Sequence, residues 1–258
     1  MLICMHNYNH SEKAIEKSLI LRSLVWPAIF VAILWIVKAI ELLTDTSFAQ
    51  YGMAPKAWRG LIGIFTYPFL HKDFSHLSSN SLPLIFLGAA LFYFYRKTSF
   101  IIFIQLFIIS GFWLWLLGEY GSIHIGASGL VYGLTAFHIT AGLIKKNKNL
   151  LAFALLVLFV YGSMVWGLFP DFFPKQKISW EGHLMGMLAG IALAWYHRDK
   201  GPQRDRYQWE WDELEEDDED DDSDIKPDVS TGTYFYSNTT AIDPDKNTNT
   251  DTDPHSNQ

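Results

Sequence analysis

Apolar residues dominate the chain from about Ser18 to His197, where polar segments divide them into runs of membrane-spanning length. A helix of about 20 apolar residues crosses the hydrocarbon core of a bilayer. The pattern predicts six spanning helices, at Leu24–Leu43, His76–Tyr95, Phe100–Leu117, Gly126–Ile144, Leu150–Phe169 and Trp180–Tyr196. We also predict a helix at Ser11–Arg22, and the short apolar stretch Leu61–Phe69 is predicted to lie in the membrane interface.

The predicted fold class is an all-α membrane protein, a six-transmembrane-helix bundle with a disordered acidic C-terminal tail. Residues 1–23 form an N-terminal cytoplasmic segment, residues 24–197 the membrane domain and residues 198–258 the tail. The tail holds the acidic run Glu210 to Asp224, which accounts for the net charge of -7. Such a segment buries too little apolar surface to offset its chain entropy, so we predict no fold and assign no role to it.

The composition argues against several classes of function. Cys4 is the only cysteine, which excludes an intrachain disulfide, and no Cys and His spacing resembles a zinc site. We therefore expect no metal and no cofactor. No basic patch is present, so a nucleic-acid partner is not expected. Residues Met1 to Lys17 lack the pattern of a cleaved signal peptide, and the first apolar run is predicted to be a retained span.

Positive charge predicts the orientation, because Lys and Arg near span ends are retained on the cytoplasmic side. With the N-terminus inside, the outer side carries only Lys56, Arg59, Lys72, Lys175 and Lys177. The cytoplasmic side carries Lys13, Lys17, Arg22, Arg96, Lys97, Lys145, Lys146, Lys148, Arg198, Lys200, Arg204 and Arg206. Both termini are therefore predicted to be cytoplasmic. Lys38 and Glu41, near the outer end of the first span, are expected to reach the lipid headgroups.

Five polar side chains converge at one membrane depth in this topology. The second, fourth and sixth spans all begin on the outer side, and the polar residues at their starts are His71, His76, Asn80, Ser128 and His183. A helix rises 1.5 Å per residue, so Ser128 is expected on the order of 5 to 10 Å below the surface. A single serine in a span often only joins two helices by a hydrogen bond. Histidines buried without a partner are costly, and the group as a whole favours a functional site.

The spacing of small residues predicts contact between the fourth and sixth spans. Each span carries a small-xxx-small pair, Gly129 with Gly133 and Gly186 with Gly190. Such pairs let two helix backbones approach closely. His183 shares a face with the second pair, so we predict a hydrogen bond between Ser128 and His183. Tyr132 lies one turn after Ser128 and is expected to stack on the imidazole or hold it.

The remaining polar residues predict a dyad rather than a triad. His76 and Asn80 are four residues apart and point together, whereas His71 is expected to project elsewhere and to fix the loop. Glu181 is two residues before His183, so its side chain is expected to leave the helix in another direction and face water. An unpaired carboxylate would also carry a large desolvation cost at this depth. Ser128 and His183 can supply a nucleophile and its base, with His76 and Asn80 as oxyanion donors.

These motifs resemble those of the rhomboid family of intramembrane serine proteases. Gly126-Ala127-Ser128-Gly129 is similar to the nucleophile motif of the family, and Tyr132 follows at the position of its tyrosine. His183 with Gly186 and Gly190 is similar to its base motif in the sixth span. The second span resembles the family in its two histidines and asparagine, and Trp58-Arg59 resembles the Trp-Arg motif of its first loop. The resemblance covers roughly Trp58 to Trp195 and leaves the acidic tail outside.

The resemblance implies a six-helix rhomboid-like bundle that opens outward and admits substrate helices laterally from the lipid bilayer. It implies Ser128 as nucleophile, His183 as general base, and an oxyanion site formed by His76, Asn80 and the Ser128 backbone amide. The implied activity is endopeptidase cleavage of single-pass membrane proteins near the outer face. The implied location is a bacterial inner membrane.

Two other functions compete with proteolysis. A catalytically dead rhomboid-like protein would bind transmembrane helices without cleaving them, but such proteins usually lack the nucleophile or the base, and both are present here. A small transporter could use the same histidines as a proton relay. The chain shows no pair of similar halves or broken helices in corresponding positions, which argues against a transporter.

Overall fold

The computed structural model describes residues 2–160, 162, 167–169 and 179–203. These residues form seven α-helices and no β-strand, apart from a single bridge between Met53 and His124. The helices are α1 (Leu2–Leu43), α2 (Trp58–Thr66), α3 (Phe74–Phe94), α4 (Ser99–Leu117), α5 (Ser128–Ile144), α6 (Lys148–Val160) and α7 (Trp180–Tyr196). The prediction of an all-α membrane bundle is confirmed. The acidic run of the tail lies outside the described residues.

The helix boundaries follow the apolar pattern closely in the second, third, fourth and sixth predicted spans. α1 is longer than its predicted span, because the segment before Leu24 continues the same helix. α6 ends at Val160, whereas the fifth span was predicted to reach Phe169. Gly162 and Gly167 follow that end, and glycine is a poor helix former. The stretch predicted to lie in the interface forms α2 and a short 3-10 turn, Tyr67–Phe69.

The helices differ in whether they are long enough to span a bilayer. In the part of the chain that the structure describes, three segments have both the length and the apolarity required, namely Ile15–Leu43, Phe74–Phe94 and Ser99–Leu117. α5 and α6 are shorter apolar helices. α5 and α7 have 17 residues each, at the lower limit of about 17 to 25 residues for a spanning helix.

α5 is the central helix of the bundle. It packs most extensively against α7 and also contacts α3, α4 and α6, while α1 packs on α3 and α2 on α4. The α5–α7 seam has almost no side chains between the backbones: a Cβ atom on Gly186 or Gly190 would lie 2.0 Å from the carbonyl oxygen of Gly129 or Gly133, respectively. The predicted close approach of the two glycine pairs is confirmed. It fixes the first turns of α5 and α7 beside each other.

The starts of α3, α5 and α7 meet at one end of the bundle, which we call the site end, together with the last two turns of α1. Contrary to the prediction for the headgroup region, Lys38 and Glu41 in those turns are largely buried in the protein. Their side chains bond to each other with an N–O distance of 3.0 Å. They turn inward because polar backbone groups of the following loops offer them partners.

Residues 198–203 contact the opposite end of the bundle. Lys145, the C-cap of α5, donates a hydrogen bond to the carbonyl of Lys200, and the Asn147 amide donates to the carbonyl of Gln203 at 3.1 Å. Gly201 has a φ of +75° and lies against the ring of Tyr95. The first residues after α7 therefore pack on the membrane domain.

Candidate active site

Ser128 and His183 are brought into contact by the first turns of α5 and α7. Ser128 is the first residue of α5, and its Oγ lies 2.8 Å from Nε2 of His183. The predicted hydrogen bond between these side chains is confirmed. Gly126 precedes the helix with a φ of +114°, a left-handed conformation that favours glycine. A Cβ atom on Gly126 would lie 2.6 Å from Cε1 of His76, so space as well as conformation requires glycine there.

The imidazole of His183 is also held by a hydrogen bond at its second nitrogen and by stacking on one face. Its Nδ1 lies 2.8 Å from the carbonyl oxygen of Gly167, so Nδ1–H donates and Nε2 is left to accept from the serine hydroxyl. The ring stacks on Tyr132, with centroids 4.2 Å apart and planes at 12°, as predicted. The group bonded to Nδ1 is thus a backbone carbonyl and not a carboxylate. No signal in the sequence pointed to Gly167, because every residue carries such a carbonyl.

His71 lies beside His76, contrary to the prediction that it projects elsewhere. The two rings are 5.1 Å apart and meet edge to face. The prediction assumed helical spacing, but α3 begins only at Phe74, and the turn before it returns His71 toward the bundle. Nε2 of His71 accepts a hydrogen bond from the backbone amide of Ala127 at 3.4 Å. Burial lowers the pKa of His71 to about 4, which keeps this acceptor neutral at physiological pH.

The first two turns of α3 carry the two side chains predicted as oxyanion donors, His76 and Asn80. Asp73 caps the helix by accepting from the His76 amide at 2.8 Å, and this hydrogen bond lowers the pKa of the carboxyl group. Asn80 lies one turn after His76 and is buried, with 5 % of its surface exposed. Within the described part of the chain, its side-chain Nδ2 has no hydrogen-bond partner. An unpaired buried donor is unfavourable in a resting protein, and this one is available for an incoming acceptor.

A second polar cluster, which the sequence reasoning missed, joins the loop before α5 to the start of α7. Nε2 of His124 lies 3.2 Å from a carboxylate oxygen of Glu181, and Nδ1 lies 2.6 Å from Oγ of Ser179. The other carboxylate oxygen of Glu181 accepts from the backbone amide of Glu119 at 3.0 Å. The prediction that Glu181 faces water is therefore wrong, because the loop before α5 lies against its side chain. His124 was missed because it lies outside every apolar run.

Two further expectations concern the Trp-Arg motif of the first loop and metal ions. Trp58 begins α2 and is 87 % exposed, so the first member of the Trp-Arg pair is at the surface. Among the described residues, no three His, Cys, Asp or Glu side chains are grouped so that they could hold a metal ion. Among the polar groups described at the site end, the pair suited to nucleophilic chemistry is the Ser128 hydroxyl and the His183 imidazole.

The fold and the site together define a rhomboid-like helical membrane bundle. The family model of the Rhomboid domain matches residues 55–200, more than half of the 258-residue chain. The chain therefore belongs to the rhomboid family and is a multi-pass integral membrane protein.

Three relatives illustrate the similarity. An uncharacterised protein of Mycobacterium tuberculosis is 36 % identical over 176 residues, covering 64 % of this chain and 71 % of that protein. An uncharacterised protein of Mycobacterium leprae is 33 % identical over 177 residues, covering 64 % and 68 %. A Bacillus subtilis protein named "Putative rhomboid protease YdcA" is 25 % identical over 190 residues, covering 67 % of this chain and 87 % of that protein.

Proposed function

We propose that the protein is an intramembrane serine endopeptidase that uses Ser128 as nucleophile and His183 as general base. The observation that carries the proposal is the 2.8 Å contact between Ser128 Oγ and His183 Nε2. It is supported by the bond from His183 Nδ1 to the Gly167 carbonyl, which fixes the tautomer that accepts a proton from serine. A nucleophile, its base and the group that orients the base are all in hydrogen-bond reach.

The chemistry proceeds through an acyl-enzyme. The hydroxyl oxygen of Ser128 forms a bond to the scissile carbonyl carbon while its proton passes to Nε2 of His183. The tetrahedral intermediate collapses, the C–N bond breaks, and the imidazolium returns its proton to the leaving amine. A water molecule, deprotonated by the same imidazole, then hydrolyses the ester. Stacking against Tyr132 keeps the ring in one orientation through both steps.

Three donors are proposed to stabilise the oxyanion. The backbone amide of Ser128 is one of the N–H groups that a helix start leaves without an intrahelical partner. The positive end of the α5 dipole lies at the same place. The other two donors are the ring of His76 and Nδ2 of Asn80, which has no partner in the described part of the chain. Donors of this type act most strongly where water is excluded.

The proposed substrates are transmembrane segments of single-pass membrane proteins. Backbone amides in a helix are bonded internally, so a cleavable segment has to unwind locally, which small or helix-breaking residues favour. The distribution of positive charge supports cleavage near the outer face, with both termini of the enzyme in the cytoplasm of a bacterial cell. The site end, where the polar groups meet, would then face outward.

The test combines active-site labelling with substrate cleavage, using the purified full chain in proteoliposomes. Wild type is expected to react with a fluorophosphonate probe and to cleave a model single-pass substrate. Ser128→Ala and His183→Ala are each expected to lower cleavage by about 10³-fold or more, since dyad members act as a unit. Ser18→Ala removes a serine hydroxyl that bonds to the Ile15 carbonyl within α1 and should leave both readouts unchanged. Equal labelling of wild type and Ser128→Ala would support the helix-binding pseudoenzyme instead.

A further inference from the structure

The last two turns of α1 carry a largely buried ion pair that is bonded to the loop preceding α3. Nζ of Lys38 donates to a carboxylate oxygen of Glu41 at 3.0 Å, to the His71 carbonyl at 2.9 Å and to the Lys72 carbonyl at 3.1 Å. These three bonds use all the donors of the ammonium group. The other carboxylate oxygen of Glu41 accepts from the Phe48 amide at 2.7 Å. One pair thus fastens two loops to α1.

The loop held by Lys38 is the one that reaches the reacting groups. His71 bonds through its ring to the Ala127 amide, adjacent to Ser128. The same ring packs against His76, which lies next to Gly126. Two contacts therefore connect the Lys38 ammonium to the segment just before Ser128, one at the Ala127 amide and one at the His76 ring beside Gly126. Both pass through residue 71.

We infer that Lys38 and Glu41 are positioning residues of the proposed active site, acting through His71. This inference rests on the proposed protease function. α1 lies before residues 55–200, the part matched by the Rhomboid domain model, so the pair is a contribution of this chain from outside the matched region.

Charge and burial explain how the ion pair fixes the position of the loop that contains His71. The side chains of Lys38 and Glu41 are 15 % and 7 % exposed, so each charge depends on its partner for solvation. A desolvated ammonium holds carbonyl oxygens more firmly than water does, because charge-assisted hydrogen bonds are the stronger class. Removing the ammonium frees the carbonyls of residues 71 and 72, and the loop gains freedom. An error of about 1 Å in the donor positions is enough to lower kcat strongly.

The experiment measures kcat and KM for a model transmembrane substrate, and the rate of fluorophosphonate labelling, in proteoliposomes. Lys38→Met is expected to lower kcat and the labelling rate by about tenfold, with KM within about twofold of wild type, since the substrate is not touched. Lys38→Arg keeps the charge and the donors and is expected to recover to within about threefold of wild type. Glu41→Gln, which removes the counter-charge, is expected to lower kcat by about threefold.

The control is Lys56→Met, the same substitution at an exposed lysine in the loop after α1, with unchanged kcat expected. Unchanged kcat in both Lys38→Met and Glu41→Gln overturns the inference while the proposed function stands. If Lys38→Met does not fold, Glu41→Gln alone decides the outcome in the same way. A loss confined to KM would also overturn it. Failure of the proposed function is recognised separately, because wild type itself would then neither label nor cleave.

Discussion

The side-chain amide of Asn80 is buried and, among the described residues, has an unpaired hydrogen-bond donor, which is energetically unfavourable. Its side chain is buried, and in the described part of the chain its Nδ2 makes no hydrogen bond, a condition that costs about 1 to 3 kcal/mol. Its neighbour Ser81 is similarly buried but bonded twice, since Oγ donates to the Leu77 carbonyl and accepts from the indole of Trp35. Strain of this kind is expected where a group is reserved for a transition state.

Replacing Asn80 with leucine, which has nearly the same shape, separates catalysis from stability. Asn80→Leu is expected to lower kcat by about 10²-fold, because one oxyanion donor is lost. The free energy of unfolding is expected to stay equal or to rise by about 1 kcal/mol, because a buried polar group is removed. Enzyme kinetics and unfolding by SDS in mixed micelles measure the two quantities.

Ser81→Ala provides the matched comparison and should behave in the opposite way. It breaks two satisfied hydrogen bonds, so stability is expected to fall by about 1 kcal/mol while kcat changes little. A parallel loss of stability and activity in Asn80→Leu would mean that Asn80 is an ordinary packing residue.

Single residues also show the limit of sequence reasoning. The contact between Ser128 and His183 followed from glycine spacing and topology, because helix periodicity determines which side chains share a face. The hydrogen bonds and ion pairs of Gly167, Lys38 and His124 were not predictable in this way. Their partners are backbone carbonyls or residues far away in the chain, and those pairings arise only when loops fold back on the helices.

At the scale of helices, the α5–α7 seam places Ser128 and His183 within hydrogen-bond distance. Gly186 and Gly190 lie against the backbone carbonyls of Gly129 and Gly133. In lipid the hydrophobic effect gives little attraction between helices, so close packing has to hold them together. A side chain at the seam would push α7 away from α5 and stretch the contact between Ser128 and His183. The sequence predicted this seam, because small residues at intervals of four indicate that two helix backbones can pack closely.

Gly190→Ala tests the seam at a position seven residues away from His183. The added Cβ would lie 2.0 Å from the Gly133 carbonyl oxygen, so the helices have to separate. We expect a loss of about 3 kcal/mol in the free energy of unfolding and at least a roughly tenfold loss of kcat in the protein that remains folded. SDS unfolding and kinetics are the measurements. Gly162→Ala is the control, since a Cβ there meets no atom of the described residues within 4 Å, and equal behaviour of both variants would contradict the role of the seam.

For the whole molecule, the site depends on loops that fold between the helices. The apolar pattern predicted the helix order and most boundaries, because bilayer thickness limits the length of each run. It did not predict the end of α6 at Val160 or the inward position of the ion pair on α1. These features depend on tertiary contacts, and hydropathy does not report them. The loop contacts at the site end include two buried histidines, and both affect how the stability of the fold depends on pH.

Two loop histidines at the site end predict that the fold loses stability in acid. Burial lowers the pKa of His71 to about 4 and also lowers the pKa of His124, although Glu181 and Glu119 act against the shift of His124. In the unfolded chain both titrate near 6.5. Below about pH 6.5 the unfolded state therefore binds more protons, and stability falls as the pH falls, by up to about 1.4 kcal/mol per pH unit for each histidine; for His71 this decline continues to about pH 4. SDS unfolding from about pH 7.5 to 4.5 should show this decline, and His124→Asn should make it shallower. An identical slope in the variant would show that His124 does not contribute, because asparagine keeps a polar side chain there without a proton to bind.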